Sequence, residues 1–240
     1  MKFSRRRVRA VLVKEMRDFR HNGNVIYAMA ILPLIFLVQP LIQVFTLSSR
    51  AAVPLHHEHA LLYMLAIPAL VPAALASYSI VGERLQGTLE PILTTPISRE
   101  ELLLGKTLAA FLPSVIVAYV VFGIYIGAVE LFAHAGVASA LIHGSDVLAQ
   151  LVFTPLLALW SIWVGIAIST RSSDPRNASQ LSILATLPTV AITSLIAFNV
   201  IVPSPRVALA FGVALLVLIR LGGRFAAALF DRERLVSRIS

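Results

Sequence analysis

Six apolar stretches, each at or near the length that crosses a bilayer, occupy most of this 240-residue chain and leave only short polar segments between them. A helix rises about 1.5 Å per residue, so a hydrocarbon layer of about 30 Å requires about 20 residues. The windows fall at 25–47, 60–81, 105–131, 147–169, 181–202 and 207–222, the last being the shortest. No polar stretch is long enough to bury a core of its own. Charged residues make up 13% of the chain and the mean hydropathy is +0.86, whereas soluble domains carry roughly a quarter charged residues. A soluble enzyme is excluded, and the pattern dictates an all-α membrane protein with six transmembrane helices. It divides into an N-terminal segment 1–24, a six-span domain 25–222 and a C-terminal tail 223–240. The absence of cysteine rules out disulfides and thiolate metal sites.

The net charge of +8 is not spread evenly. Of the 20 Lys and Arg residues, 18 lie in the first tail, the 82–106 region, the 170–180 loop and the last tail, and only Arg50 and Arg206 lie in the alternating segments. Short loops rich in Lys and Arg stay in the cytoplasm, so both termini are expected there. Basic clusters flanking apolar spans suit anionic lipid and argue against nucleic acid as the partner. Within the first tail, Val8, Leu12, Met16 and Phe19 recur at helical spacing with cations on the other face, which predicts an amphipathic helix in the membrane interface. His21-Asn22-Gly23-Asn24 is expected to end it. The basic region is too long for a signal peptide, and no small-x-small cleavage site follows it.

The segment 82–104, between the second and third spans, concentrates Glu83, Glu90, Glu100 and Glu101 out of 12 acidic residues in the chain. Gly87 breaks the preceding element. Thr88 can cap a short helix whose first turn accommodates Pro91, with Leu89, Ile92 and Leu93 on one face and Pro96 as its end. Ser98-Arg99-Glu100-Glu101 then reads as a capping box opening the third span. A short surface helix joined rigidly to a spanning helix acts as a lever.

Glu83-Arg84-x-x-Gly87-Thr88-Leu89-Glu90-x-x-Leu93-x-Thr95-Pro96, followed by Glu101-Leu102 and Gly105-Lys106, resembles the motif of ATP-binding-cassette (ABC) type-2 permeases. Lys14-Glu15-Met16-Arg17-Asp18-Phe19 is similar to that family's amphipathic interface helix, and Phe230-Asp231-Arg232-Glu233-Arg234-Leu235 resembles its cytoplasmic tail. The resemblance implies an exporter subunit in a bacterial plasma membrane. Its segment between spans two and three would be a cytoplasmic coupling helix docking on a separate ATPase, with Glu83, Arg84, Gly87, Thr88, Leu89, Glu90, Leu93, Thr95, Pro96 and Glu101 as the coupling residues. It further implies a second permease copy or a sister permease as partner. One departure is the short connection at 198–206, which leaves little room for the family's external hairpin. No Gly-x-x-x-x-Gly-Lys-[Ser/Thr] is present, so ATP and Mg²⁺ are expected on the partner and no cofactor on this chain. Gly105-Lys106 itself reads as the opening of a lipid-facing helix.

The remaining polar features are sparse. His56-His57-Glu58-His59 lacks the i, i+4 pair or remote ligand that metal binding requires, and it reads as a solvated external loop with no metal assigned. Gln39 and Gln43, one turn apart in the first span, are expected to bond other helices or line a substrate path. Glu130 reads as an interfacial residue, Gly123-x-x-x-Gly127 as a helix-contact pattern, and Trp160 with Trp163 as packing. Pro33, Pro40, Pro68, Pro72, Pro113 and Pro188 are each expected to kink a span. No catalytic residue is visible. The competing reading is an ATP-independent secondary transporter or channel, which calls for an internal repeat and midplane charges; neither is found.

Overall fold

The computed structural model describes residues 3–46, 59–88, 95, 97–134 and 137–229, apart from the side chains of Asn24, Gln43, Ala60 and Ala140. Among these residues the ordered elements are all helices: α1 Arg5–His21, α2 Gly23–Thr46, α3 Ala60–Tyr63, α4 Ala66–Leu85, α5 Arg99–Phe132, α6 Val137–Leu141, α7 Gly144–Arg171, α8 Pro175–Ala197 and α9 Pro205–Leu229. Six segments are long and apolar enough to cross a membrane: Val25–Thr46, Leu61–Leu85, Arg99–Phe132, Gly144–Arg171, Pro175–Ala197 and Pro205–Leu229. The six spans stand, but several extend beyond their apolar windows. A hydropathy window stops at the first charge, whereas backbone hydrogen bonding continues until a cap or a breaker intervenes. Glu83 and Arg84 are therefore helical residues rather than loop residues, and α9 runs through to Leu229. The tail from Phe230 onward lies outside the described residues.

The second span occupies the centre of the bundle. Its apolar window is 94% buried, against 6% for α9 at the periphery, so α4 is the helix around which the others are arranged. Helices α2, α5, α7 and α8 pack on α4, whereas α9 packs on α7. The crossing of α4 and α7 is close because Gly165 has no side chain. A Cβ at that position would lie 2.7 Å from Ala76 Cβ and 2.8 Å from the Ala73 carbonyl. Near the same crossing the Ser169 hydroxyl accepts from the backbone N–H groups of Ile80 and Val81 at 3.1 and 3.0 Å. Trp160 and Trp163 pack against Gly222 and Gly223 of α9, as a packing role requires.

The second span is interrupted at Met64-Leu65, which form a turn between α3 and α4. Pro68 explains the break: it has no N–H for the Met64 carbonyl, and its ring crowds that carbonyl. The Leu61 carbonyl at the break accepts from the Gln150 side-chain amide of α7, and Thr154 donates to the Gln150 oxygen at 3.2 Å. The connection between α8 and α9 carries no helix among its residues; the amides of Val200 and Ile201 both turn back to the Leu195 carbonyl.

Two expectations about helix faces change. The buried side of α1 is Val8, Val11, Glu15 and Phe19, with Leu12 and Met16 only half-buried, so the inner face is rotated toward Glu15. Gly123 and Gly127 meet nothing within 4 Å of where a Cβ would stand, so that pattern makes no close crossing among the described residues.

Candidate functional site

Three features of the sequence gather at the end of the bundle that carries α1. Gly87 ends α4 with φ +66, a conformation an L side chain rarely adopts. The Thr88 amide donates to the Glu83 carbonyl at 3.0 Å and the Gly87 amide to the Arg84 carbonyl at 3.2 Å, which is the Schellman pattern. Across the gap, Ser98 opens α5 through the expected capping box: its side chain accepts from the Glu101 amide, and the Glu101 carboxylate accepts from the Ser98 amide. The segment between these two fixed ends is where the short coupling helix was expected. Leu89, Glu90, Ile92, Leu93 and Pro96 lie outside the described residues, and Thr95 is half-buried beside Ile97.

Glu101 does more than cap. It is fully buried, and its two oxygens accept four hydrogen bonds. Oε1 takes the Ser4 amide at 2.6 Å and Arg7 Nη2 at 2.8 Å, while Oε2 takes Arg7 Nε at 2.8 Å and the Ser98 amide at 2.9 Å. A planar guanidinium meeting a carboxylate through two parallel N–H groups fixes geometry as well as charge. The start of α1 is thereby clamped to the first turn of α5. One helical turn further along, α1 crosses α5 at Gly105, where a Cβ would fall 2.6 Å from Val11 Cβ. The glycine of the Gly105-Lys106 pair is needed for this approach.

Lys106 corrects the expectation of a lipid-facing helix opening. Its side chain is fully buried; the ammonium donates to Glu15 Oε1 of α1 at 2.8 Å and to the Ser79 carbonyl of α4 at 2.6 Å, and it pairs electrostatically with Glu83 Oε2 of α4 at 2.9 Å. Lys14 closes the ring, pairing with Glu83, with Glu15 at 3.2 Å and with Asp18 at 3.1 Å. The inner four are two cations and two carboxylates, so the buried cluster is neutral as a set. Burial opposes ionisation of Glu15, but Lys106 and Lys14 outweigh it and hold its carboxyl below the usual range. Burial likewise works against the Lys14 ammonium, and the carboxylates of Glu15 and Glu83 more than compensate, raising it. Arg84 carries the network to a fourth helix: its guanidinium donates to the carbonyls of Ser172 at 2.9 Å and Thr170 at 3.3 Å, at the end of α7.

The structure thus brings Glu83, Arg84, Gly87, Thr88 and Glu101 of the expected coupling residues to one end, together with Arg7, Lys14, Glu15 and Lys106. The Thr88 hydroxyl donates backward to the Glu83 carbonyl at 3.4 Å. An open crevice of about 180 Å³ remains between α1 and the start of α5, with Lys14, Glu15, Glu83, Thr95 and Ile97 among its lining residues. The proposed substrate-path residues do not join this site. Gln39 is exposed on the outer side of α2, with no hydrogen bond to another helix among the described residues; the Gln43 side chain is outside the described set. Glu130, at the far end of α5, is exposed, as an interfacial residue would be.

Glu15 and Lys106 stand in the family-like segments, yet those segments do not mark either as a member of the site. The signal was there for Glu15: it lies four residues from both Val11 and Phe19, a carboxylate on an apolar stripe. A charge in that position needs a buried partner.

A family model described as ABC-2 family transporter protein matches residues 9–228. Comparison with curated proteins returned no match. The matched region takes in α1 from its second turn, all six spans and the charge cluster between them. The chain is a multi-pass membrane protein, and it belongs to the ABC-2 transporter family.

Proposed function

We propose that this chain is the membrane-spanning subunit of an ABC exporter, with ATP and Mg²⁺ bound by a separate nucleotide-binding subunit and α1 on the cytoplasmic side. The reading rests above all on Lys106, which ties Glu15 of α1 and Glu83 of α4 to its own helix α5 through a fully buried ammonium. A charge network of this kind would let three helices respond as one body to a push on the segment between Gly87 and Ser98. ATP-driven approach of two partner ATPases would press on residues 83–101, with Leu89, Ile92 and Leu93 seating a coupling helix and Glu90 facing the partner. Tilting α4 and α5 would then shift α7 through Arg84 and the Gly165 crossing.

A second copy or a sister permease completes the transport path. The outer side of α2 supports this, since Gln39 shares it with Leu34, Ile35, Val38 and Ile42, all at least half exposed. An amide in hydrocarbon is costly without a partner, and an opposing α2 would supply one. The sparse polar groups on the spans favour an apolar or amphipathic cargo.

Gentle purification of the tagged chain from its native membrane tests the proposal. A stoichiometric co-eluting chain with a Walker A motif is expected, and Gly87→Pro or Glu90→Arg should abolish transport while membrane insertion persists. Elution without an ATPase, with transport surviving ATP depletion, would replace this reading with that of a secondary transporter.

A further inference from the structure

At the end of the bundle opposite the charge cluster, three side chains distant in sequence meet. His59 precedes α3, His143 is the N-cap residue of α7, and Asp146 lies in the first turn of α7. Asp146 Oδ2 is 2.9 Å from His59 Nδ1 and 3.7 Å from His143 Nδ1. The two rings lie 5.2 Å apart between centroids, and one donor atom from each of the three residues falls within 4.8 Å of the other two. A hydrogen bond between one histidine and one aspartate needs no second imidazole. Here His59 Nδ1 faces both carboxylate oxygens, at 3.0 Å from Oδ1 and 2.9 Å from Oδ2, and a second ring nitrogen stands 3.7 Å from Oδ2; a bound cation satisfies all three side chains at once.

We propose that His59, His143 and Asp146 form a binding site for a borderline divalent transition metal, Zn²⁺ being the best fit. Two imidazoles and a carboxylate are a donor set that zinc favours and that magnesium and calcium do not. Bonds of about 2.0–2.1 Å in a tetrahedral site place donors about 3.4 Å apart. The observed separations bracket that value, so modest ring rotations complete the geometry.

The backbone holds the three donors in place. The His59 amide donates to the Ala197 carbonyl of α8 at 3.1 Å, and the Asp146 amide donates to the His143 carbonyl at 2.9 Å. Ser145 Oγ donates to Asp146 Oδ1 at 3.2 Å, an outer contact that steadies the carboxylate. Asp146 is 2% exposed, yet the two rings remain partly accessible, which gives an ion a way in. The fourth position goes to water. A metal seated here fastens the start of the second span to the fourth span at the end where α3 and α4 are already broken.

The test uses the full chain in nanodiscs, stripped of metal and titrated with Zn²⁺ alone against a chromophoric chelator, with thermal melting in parallel. One ion per chain and a raised melting temperature are expected. His143→Ala and Asp146→Asn should each weaken binding at least about tenfold, whereas the double variant His56→Ala/His57→Ala should keep the stoichiometry. Co²⁺ in place of Zn²⁺ should give the strong d–d absorption of a four-coordinate site, reduced in His143→Ala. The metal-free melting of His143→Ala shows whether that variant is folded, so a misfolded Asp146→Asn leaves the outcome decidable. No saturable binding below about 1 mM, a Kd equivalent to about −4 kcal/mol, would overturn the proposal. So would retained affinity in His143→Ala, or loss confined to the His56/His57 variant, which would place the metal on the loop instead.

Discussion

Replacing Lys106 with Met removes one charge from the buried cluster while keeping a chain of similar length. The consequence follows from what remains. Glu15 and Glu83, whose side chains are 4% and 6% exposed, lose the ammonium at 2.8 and 2.9 Å, and the Ser79 carbonyl loses its donor. Lys14 then faces two carboxylates alone, and a neutral set becomes a net negative one. Removing one partner of a buried ion pair costs about 3–5 kcal/mol, because the penalty of the stranded charge is added to the lost attraction. At about 1.4 kcal/mol per factor of ten, that is a shift of roughly 10²- to 10⁴-fold in the equilibrium between docked and undocked α1. The methionine side chain recovers part of this through apolar burial, which places the expected value toward the lower end.

Hydrogen exchange of the α1 amides in nanodiscs measures the effect directly, since local opening is what the variant promotes. Protection over Val8–Phe19 should fall about a hundredfold or more, while protection in the middle of α7 should hold. Glu15→Gln supplies the other half of a double-mutant cycle. Alone it leaves two lysines on Glu83; combined with Lys106→Met it leaves the neutral pair of Lys14 and Glu83. The double variant should therefore lose at least about 1 kcal/mol less than the sum of the two single losses. Simple additivity, or α1 protection in Lys106→Met within about 0.5 kcal/mol of the parent, would refute the view that this cluster holds α1 to the bundle.

Gly105→Leu should displace α1 as well, because its Cβ would meet Val11 at 2.6 Å; a cost of about 1–3 kcal/mol is expected, read as the same loss of α1 protection. Gly165→Ala should destabilise the whole bundle, since the obstruction includes the Ala73 carbonyl of α4; a lowered melting temperature with α1 exchange unchanged relative to the core checks it. Gly87→Ala meets no neighbour within 4 Å among the described residues, so a conformational cost of about 1 kcal/mol is expected, and Gly87→Asn should recover part of it in the same melting assay. The pH dependence of α1 docking follows from Glu15, whose folded carboxyl is held below its ordinary value. Such a group contributes stability that is fully present above its unfolded pKa of about 4.3 and is lost as pH falls through the lower folded value. Protection of α1 should therefore be level from pH 8 to 5 and decline below about pH 4, and a decline already complete at pH 6 would contradict this assignment.

What could be read from the sequence divides along a physical line. Local signals were sufficient for the spans, for the break at Gly87 and for the capping box at Ser98, because each depends on residues within one or two turns of each other. The apolar window of the second span stops at residue 81, before its first charge, whereas α4 carries Glu83 and Arg84 inside the helix. Lys106 was read as facing lipid because its partners lie far away along the chain, 91 residues from Glu15 and in another helix at Glu83. The same holds at the opposite end, where His59 and Asp146 are 87 residues apart and neither signals the other.

One inference was nonetheless available from spacing alone. A helix with Val8, Val11 and Phe19 on its inner face places Glu15 on that face too, and an ionised carboxylate there demands a cation from elsewhere. The stripe through Leu12 and Met16 conceals this, because it leaves out Glu15 and so has the higher apolarity. Maximising apolarity selects the wrong face whenever a helix uses a buried charge to choose its partner. In α1 the apolar residues supply contact area, but many apolar surfaces could supply that. The carboxylate of Glu15, complementary to Lys106, restricts docking to one register on α5, and Arg7 with Glu101 restricts it again one helical turn or more away. Two charge pairs separated along one helix determine both its position and its direction, which neither pair nor the apolar face does alone.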